Sequence, residues 1–201
     1  METRKRLLGE EHPDTLTGMA NLAVAYANQG RWKEAEDLEV QMVEMRKKVL
    51  GEEHPETLTS VANLGMTYHN QGRWKEAEDL GLRVIEVRRR VLGKEHPDTL
   101  TSIANLAATY RSQYRWKEAV DLEVQVMEAR KRVLGEEHPD TLTSVANLAS
   151  TYYSQGRWKE AIELQLQVVE MRKTVLGEEH PDMLVSVSSL ALMYSSQDQW
   201  K

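Results

Sequence analysis

The side chains best suited to chemistry in this chain sit in short clusters that recur. Glu52-Glu53-His54 and its copies place two carboxylates beside an imidazole, residue types that ligate divalent metals. Three consecutive residues cannot close a tetrahedral site, and copies one repeat apart, at ~8–10 Å per packed helix, are too distant to share an ion. Each His precedes a proline (Pro13, Pro55, Pro97, Pro139, Pro181) suited to the first position of a helix. These His are therefore read as helix-start residues, and no metal or cofactor is expected. The basic clusters, such as Arg46-Lys47-Lys48, are accounted for by a helix C-terminus and by pairs such as Glu44 with Lys48. No nucleophile, base and orienting group come together, so catalysis is not expected.

The positioning elements follow from a fixed period. Trp32, Trp74, Trp116, Trp158 and Trp200 stand 42 residues apart, and the His-Pro pairs keep the same step. Such a period means stacked supersecondary units. In each unit Leu16, Met19, Leu22, Ala23 and Tyr26 (first copy) follow helical spacing, which predicts a helix A over about Pro13 to Asn28. Gln29-Gly30-Arg31 is a tight turn. Helix B is predicted from about Trp32 to Val49, with Ala35, Leu38, Met42, Met45 and Val49 as its inner stripe and each Trp sealing the corner between the two helices. The expected organisation is one array over 1–201. It comprises the end of a helix B (1–9), complete repeats at 10–51, 52–93, 94–135 and 136–177, and a last helix A at 178–201 without its partner. Leu184, Leu190, Ala191 and Tyr194 are then expected to be exposed, with head-to-tail self-association through the two unlike ends. Tyr114 stands where Gly30, Gly72 and Gly156 stand in the other turns, and is expected to be strained if that turn needs a positive φ.

Composition narrows the partners. The net charge of −6 has acids and bases interleaved, without the basic stripe that nucleic acid requires. No apolar run approaches the ~18 residues of a membrane span. The absence of cysteine suits a reducing compartment, so a cytoplasmic protein is expected.

Leu64-Gly65 with Tyr68, then Ala77 early in helix B, resembles the Leu-Gly-x-x-Tyr…Ala core of tetratricopeptide repeats. The other copies read Leu22-Ala23 with Tyr26, Leu106-Ala107 with Tyr110, and Leu148-Ala149 with Tyr152. Departures from that pattern are Met19, Val61, Ile103 and Val145 in place of an early Trp, and Glu39, Gly81, Glu123 and Gln165 in place of a late aromatic. The long helix B and the connector Leu92-Gly93-Lys94-Glu95-His96-Pro97-Asp98 are similar to kinesin light chain repeats. They are more similar still to the near-identical arrays of fungal and bacterial STAND proteins of the NACHT or NB-ARC type. No G-x-x-x-x-G-K-[ST] motif occurs. The resemblance implies an all-α, right-handed superhelix whose helix A surfaces line a concave, protein-binding groove.

On helix A a second stripe lies about 100° from the core stripe. It carries an asparagine ladder, Asn21, Asn63, Asn105 and Asn147, broken by Ser189. Asn is a poor interior helix former, so its repetition needs a cause. Either it bonds the backbone of a bound extended peptide, as the resemblance implies, or it bonds the neighbouring repeat. Two further positions vary between copies: Val24, Met66, Ala108, Ser150, Leu192, and Ala27, His69, Arg111, Tyr153, Ser195. Such variation suits either a surface tuned to a partner or drift after duplication. Arg111 is the only Arg or Lys on the stripe, which argues against a preference for acidic peptides. A protein- or peptide-binding scaffold is the first reading. The alternative is a structural or self-associating array that supports a STAND NTPase.

Overall fold

The computed structural model describes residues 6–198. Trp200, and the part of the first helical end over residues 1–5, lie outside the described residues. Two compact units divide the chain, the first ending at Thr109 and the second beginning at Tyr110. Among the described residues the long elements are α1 (Pro13–Asn28), α2 (Trp32–Leu50), α3 (Pro55–Asn70), α4 (Trp74–Val91), α5 (Pro97–Ser112), α6 (Trp116–Leu134), α7 (Pro139–Ser154), α8 (Trp158–Leu176) and α9 (Pro181–Asp198). No strand occurs among them. In the first unit α1 packs on α2, α2 on α3 and α3 on α4; in the second α6 packs on α7, α7 on α8 and α8 on α9.

The His residues start helices. His12, His54, His96, His138 and His180 accept through Nδ1 from the N–H two residues on, at 3.1–3.3 Å. This is the N-cap bond that Ser or Asp makes elsewhere, and the following proline supplies a fixed φ without a wasted donor.

Helix A delivers its core stripe as expected. Leu16, Met19 and Ala23 are buried, with Leu22 and Tyr26 half-buried. Helix B departs from expectation. Ala35 and Met42 are buried, but Val49 is 48% exposed, while Val43 and the carboxyl-bearing Glu39 lie inside. The stripe rotates because helix B is covered by the A helices on two sides, so residues beyond the Ala35–Met42 line also meet protein. The small residue of the Leu-Gly/Ala pair acts as expected: a Cβ on Gly65 would come within 3.7 Å of Leu80 Cβ.

The tryptophans seal less than expected. Trp32, Trp116 and Trp158 are half-buried and Trp74 is 37% exposed. The corner is closed instead by an arginine laid on the tyrosine that recurs in register: Arg31 on Tyr26, Arg73 on Tyr68, Arg115 on Tyr110 and Arg157 on Tyr152, at 3.9–4.2 Å from the ring centroid. The turn itself is a Schellman type, with Arg31 N–H donating to Tyr26 O at 2.9 Å across Gly30 at φ 73°. Tyr114 adopts φ 61° in the same turn, the sole non-glycine with positive φ among the described residues. Its 74% exposed ring meets Trp116 edge-on at 5.5 Å.

The basic clusters need correction too. Lys48 pairs with Glu11 at 2.6 Å, and Glu44 pairs with Lys47 rather than Lys48. The first base of the clusters at 88, 130 and 172 is buried, and that at 46 half-buried. Arg88 is 4% exposed and donates to Asp98 O (3.0 Å), Ser102 Oγ (2.8 Å) and Thr59 Oγ1 (2.9 Å). One side chain thereby ties α4 to both α3 and α5. Arg172 does the same for α8 with Asp182 O, Ser186 Oγ and Thr143 Oγ1, while Arg46 and Arg130 repeat the bonds to carbonyl and serine. In the second unit Leu190 is half-buried against Ala149, Ala161, Ile162 and Met193, not bare as expected. Leu184 and Tyr194 are 56% and 43% exposed.

Candidate functional site

The asparagine ladder occupies the face of helix A turned away from the core. Asn21 and Asn63 are exposed, Asn105 and Asn147 half-buried. Thr109 and Thr151 donate to the main-chain carbonyls of Asn105 and Asn147, at 3.1 and 3.2 Å. Among the described residues none of the four Asn side chains makes a hydrogen bond. The amides are therefore not used to tie one repeat to the next.

Beside the ladder, Val24 is 53% and Leu192 65% exposed, while Met66, Ala108 and Ser150 are half-buried. The other variable position is tethered. His69 Nδ1 lies 3.3 Å from Thr109 Oγ1, Arg111 Nη1 3.5 Å from Thr151 Oγ1, and Tyr153 OH 2.5 Å from Ser196 Oγ. Each of these three reaches the next helix A, so it forms a fixed ridge. Ala27 is too short to do so, and Ser195 is exposed.

Two hollows open on this face. In the first unit one lies between Gly65 and Met66 of α3, Gly81 and Val84 of α4, and Asn105 and Leu106 of α5. In the second unit the other is lined by Asn147, Ser150 and Tyr153 of α7, Gln165 of α8, and Ser189 and Leu192 of α9.

The floor of the face is set by a position whose role sequence reasoning missed. Glu39 and Glu123 are 6% and 5% exposed, Gln165 is 2% exposed, and Gly81 is the fourth member. Glu123 Oε1 accepts from Thr151 Oγ1 at 2.9 Å and lies 3.9 Å from Arg111 Nη1, while its Oε2 is buried without a partner. Burial pushes the Glu123 carboxyl up to about 7, against the opposing effects of the Thr151 bond and the Arg111 charge. Burial likewise raises Glu39, whose Oε2 is also without a partner. Gln165 avoids this difficulty by donating Nε2 to Ser186 O at 2.9 Å. The signal was present in the sequence: a residue between Ala35 and Met42 on the inner side of a helix must be buried, whatever its type.

No group of three or more His, Asp or Glu side chains among the described residues is placed to hold a metal ion. No helix among them is long and apolar enough to cross a membrane.

Tetratricopeptide repeat profiles match residues 41–89 and 56–132, and a second such profile matches 15–56 and 141–182. A Podosopora anserina kinesin light chain with nearly identical TPR-like repeats is 36% identical over 94% of this chain and 90% of its own, with a TM-score of 0.77. The chain belongs to the tetratricopeptide repeat family. Its repeats are similar to the near-identical arrays of the kinesin light chain kind, and its fold is an all-α solenoid with a repeat of about 42 residues. BtubC (BKLC) from P. vanneervenii shares the fold at 19% identity, covering 98% of this chain and 80% of that one, with a TM-score of 0.78. A Rap protein complexed with Competence and Sporulation Factor shares it at 12% identity, covering 98% and 57%, with a TM-score of 0.75. No curated protein sequence matches the chain. Tetratricopeptide arrays are scaffolds that generally mediate protein–protein interaction, and typically are not enzymes.

Proposed function

We propose that the helix A face, which in tetratricopeptide arrays lines the concave side, binds an extended peptide segment of a partner protein through its asparagine amides. The observation that carries this reading is the ladder itself. Asn weakens a helix interior, yet it recurs at Asn21, Asn63, Asn105 and Asn147, and the amides have no partner among the described residues. An amide carries both a donor and an acceptor, which is what the exposed N–H and C=O of an extended backbone require. Met66, Ala108 and Ser150 then meet the peptide's side chains, and His69, Arg111 and Tyr153 form the fixed ridge beside them. The Rap protein, complexed with Competence and Sporulation Factor, is an example of this fold with a bound partner.

Each hydrogen bond contributes only ~0.5–1.5 kcal/mol net, so affinity must be spread over several repeats. Against peptides selected from a displayed random library, Asn105→Ala is expected to weaken binding about 2- to 13-fold. Adding Asn63→Ala weakens it further, while the melting temperature stays within a degree or two. A loss of stability with unchanged affinity in both variants would remove the amide clamp. The same reading makes the array a cytoplasmic, non-catalytic interaction region of a larger protein. A nucleotide-binding module encoded upstream would support a STAND context, and a coiled coil there would support a kinesin-like one.

A further inference from the structure

Gly81 lies in the interior of α4, where glycine weakens a helix relative to alanine. Packing does not demand it. A Cβ at this position would meet Leu106 Cδ1 at 3.5 Å and Leu106 Cβ at 3.9 Å, which is ordinary contact. The sister repeats carry Glu39, Glu123 and Gln165 here, each buried. What the glycine achieves is a vacancy in the floor of the helix A face, bounded by Gly65, Met66, Val84, Asn105 and Leu106. Its volume is about 20 Å³, close to that of one water or one methyl group. Its walls are mainly apolar, and the unpartnered Asn105 amide stands at it.

We propose that the Gly81 hollow is a specificity pocket that takes one methyl group, the side chain of an alanine, of an extended peptide held by Asn105. This rests on the peptide-binding reading above and adds to it which side chain is chosen, and where. The chemistry follows from the walls. They are mainly carbon, with the Ser102 and Thr109 hydroxyls bonded to Asp98 O and Asn105 O, and they leave room for one methyl group. A valine, a leucine, an amide or an aromatic ring exceeds the space. The Asn105 amide holds the peptide backbone at the mouth, so the side chain that enters is set by register.

The test uses the full chain and a positional-scanning library of extended, end-blocked nonapeptides. The wild-type chain is expected to select alanine at one position, over glutamine and phenylalanine, by about tenfold or more. Gly81→Gln installs the residue found at Gln165 and should abolish that preference, leaving the preferences at other positions in place. Gly81→Ala, which fits the backbone without strain, puts a methyl group of its own into the hollow, so it should also abolish the preference while raising the melting temperature. Asn105→Ala should weaken all selected peptides alike. If no peptide binds, or binding is indifferent to Asn105→Ala, the peptide-binding reading and the pocket fall together. If binding depends on Asn105 but the aliphatic preference survives both Gly81→Gln and Gly81→Ala, the pocket alone is overturned.

Discussion

Replacing Glu123 by glutamine should make the protein more stable in a way that depends on pH. The folded state holds this carboxyl 5% exposed, with one oxygen bonded to Thr151 and the other without a partner. Its ordinary value of 4.5 is raised to about 7 because burial disfavours the charged form. The sign follows directly. The folded state binds the proton more tightly than the unfolded state, so the contribution of Glu123 is fully present below 4.5 and is lost as pH rises through about 7. At ~1.4 kcal/mol per pH unit, the change across that window is ~3 kcal/mol, and ~2–3 kcal/mol of it falls between pH 5 and pH 8. Glutamine is neutral throughout and can bond a main-chain carbonyl, as Gln165 does with Ser186 O at 2.9 Å. Glu123→Gln should therefore gain ~2–3 kcal/mol more over wild type at pH 8 than at pH 5, or roughly 4–12 °C in melting temperature for a chain of this size. Thermal denaturation followed by circular dichroism at both pH values measures the difference of differences, which cancels every other titrating group. An equal gain at pH 5 and pH 8 would show that the carboxyl is ionised in the fold throughout, and the argument from burial would be refuted.

Substitutions at three further positions probe the frame. Tyr114→Gly should raise the melting temperature by a few degrees. The left-handed backbone costs a tyrosine ~1–2 kcal/mol, and the extra freedom of glycine in the unfolded chain returns ~0.5–1 kcal/mol of this. A drop would mean that the edge contact with Trp116 outweighs the strain. Arg88→Ala should cost ~3–4 kcal/mol in urea denaturation, through three lost hydrogen bonds and a cavity, whereas Arg88→Met should cost about half because it refills the space and removes a buried charge. Equal losses would show that the bonds alone matter. Val120→Glu should gain ~0.5–1 kcal/mol in the same assay by giving Arg157 the carboxylate that Glu36 gives Arg73 at 2.7 Å; no gain at low salt would rule that pairing out.

The repeat, the helices and their limits were legible because they rest on local chemistry. A proline at the first helical position, a glycine in the turn and apolar residues at helical spacing act within a few residues of themselves. Even the strain at Tyr114 could be read this way, by comparing it with Gly30, Gly72 and Gly156 in the same turn. What escaped were interactions across repeats. Arg46, Arg88, Arg130 and Arg172 look like the surface bases beside them until Ser60, Ser102, Ser144 and Ser186 are seen to follow each by 14 residues. The tryptophans misled in the opposite direction, since a large ring suggests burial, whereas the Arg-on-Tyr stack had already closed the corner.

The candidate site shows the same division between what is constant and what changes. Ties that hold the frame are the same residue in each copy: the capping His, the tyrosine with its arginine, the buried arginine with its serine. These cannot distinguish one ligand from another, because every repeat presents them alike. On the helix A face the differences fall at three positions: the ridge of His69, Arg111 and Tyr153, the wall of Met66, Ala108 and Ser150, and the floor of Glu39, Gly81, Glu123 and Gln165. The floor changes most in physical terms, from a buried acid to nothing to a buried amide. A buried acid destabilises the fold at neutral pH and an interior glycine weakens its helix, so neither residue is the choice that stability alone would make. Glutamine at Gln165 shows that a satisfied alternative fits the same frame. On the peptide-binding reading proposed above, the other two stand where they do for the sake of a partner, and the floor is where a change of ligand should be engineered first.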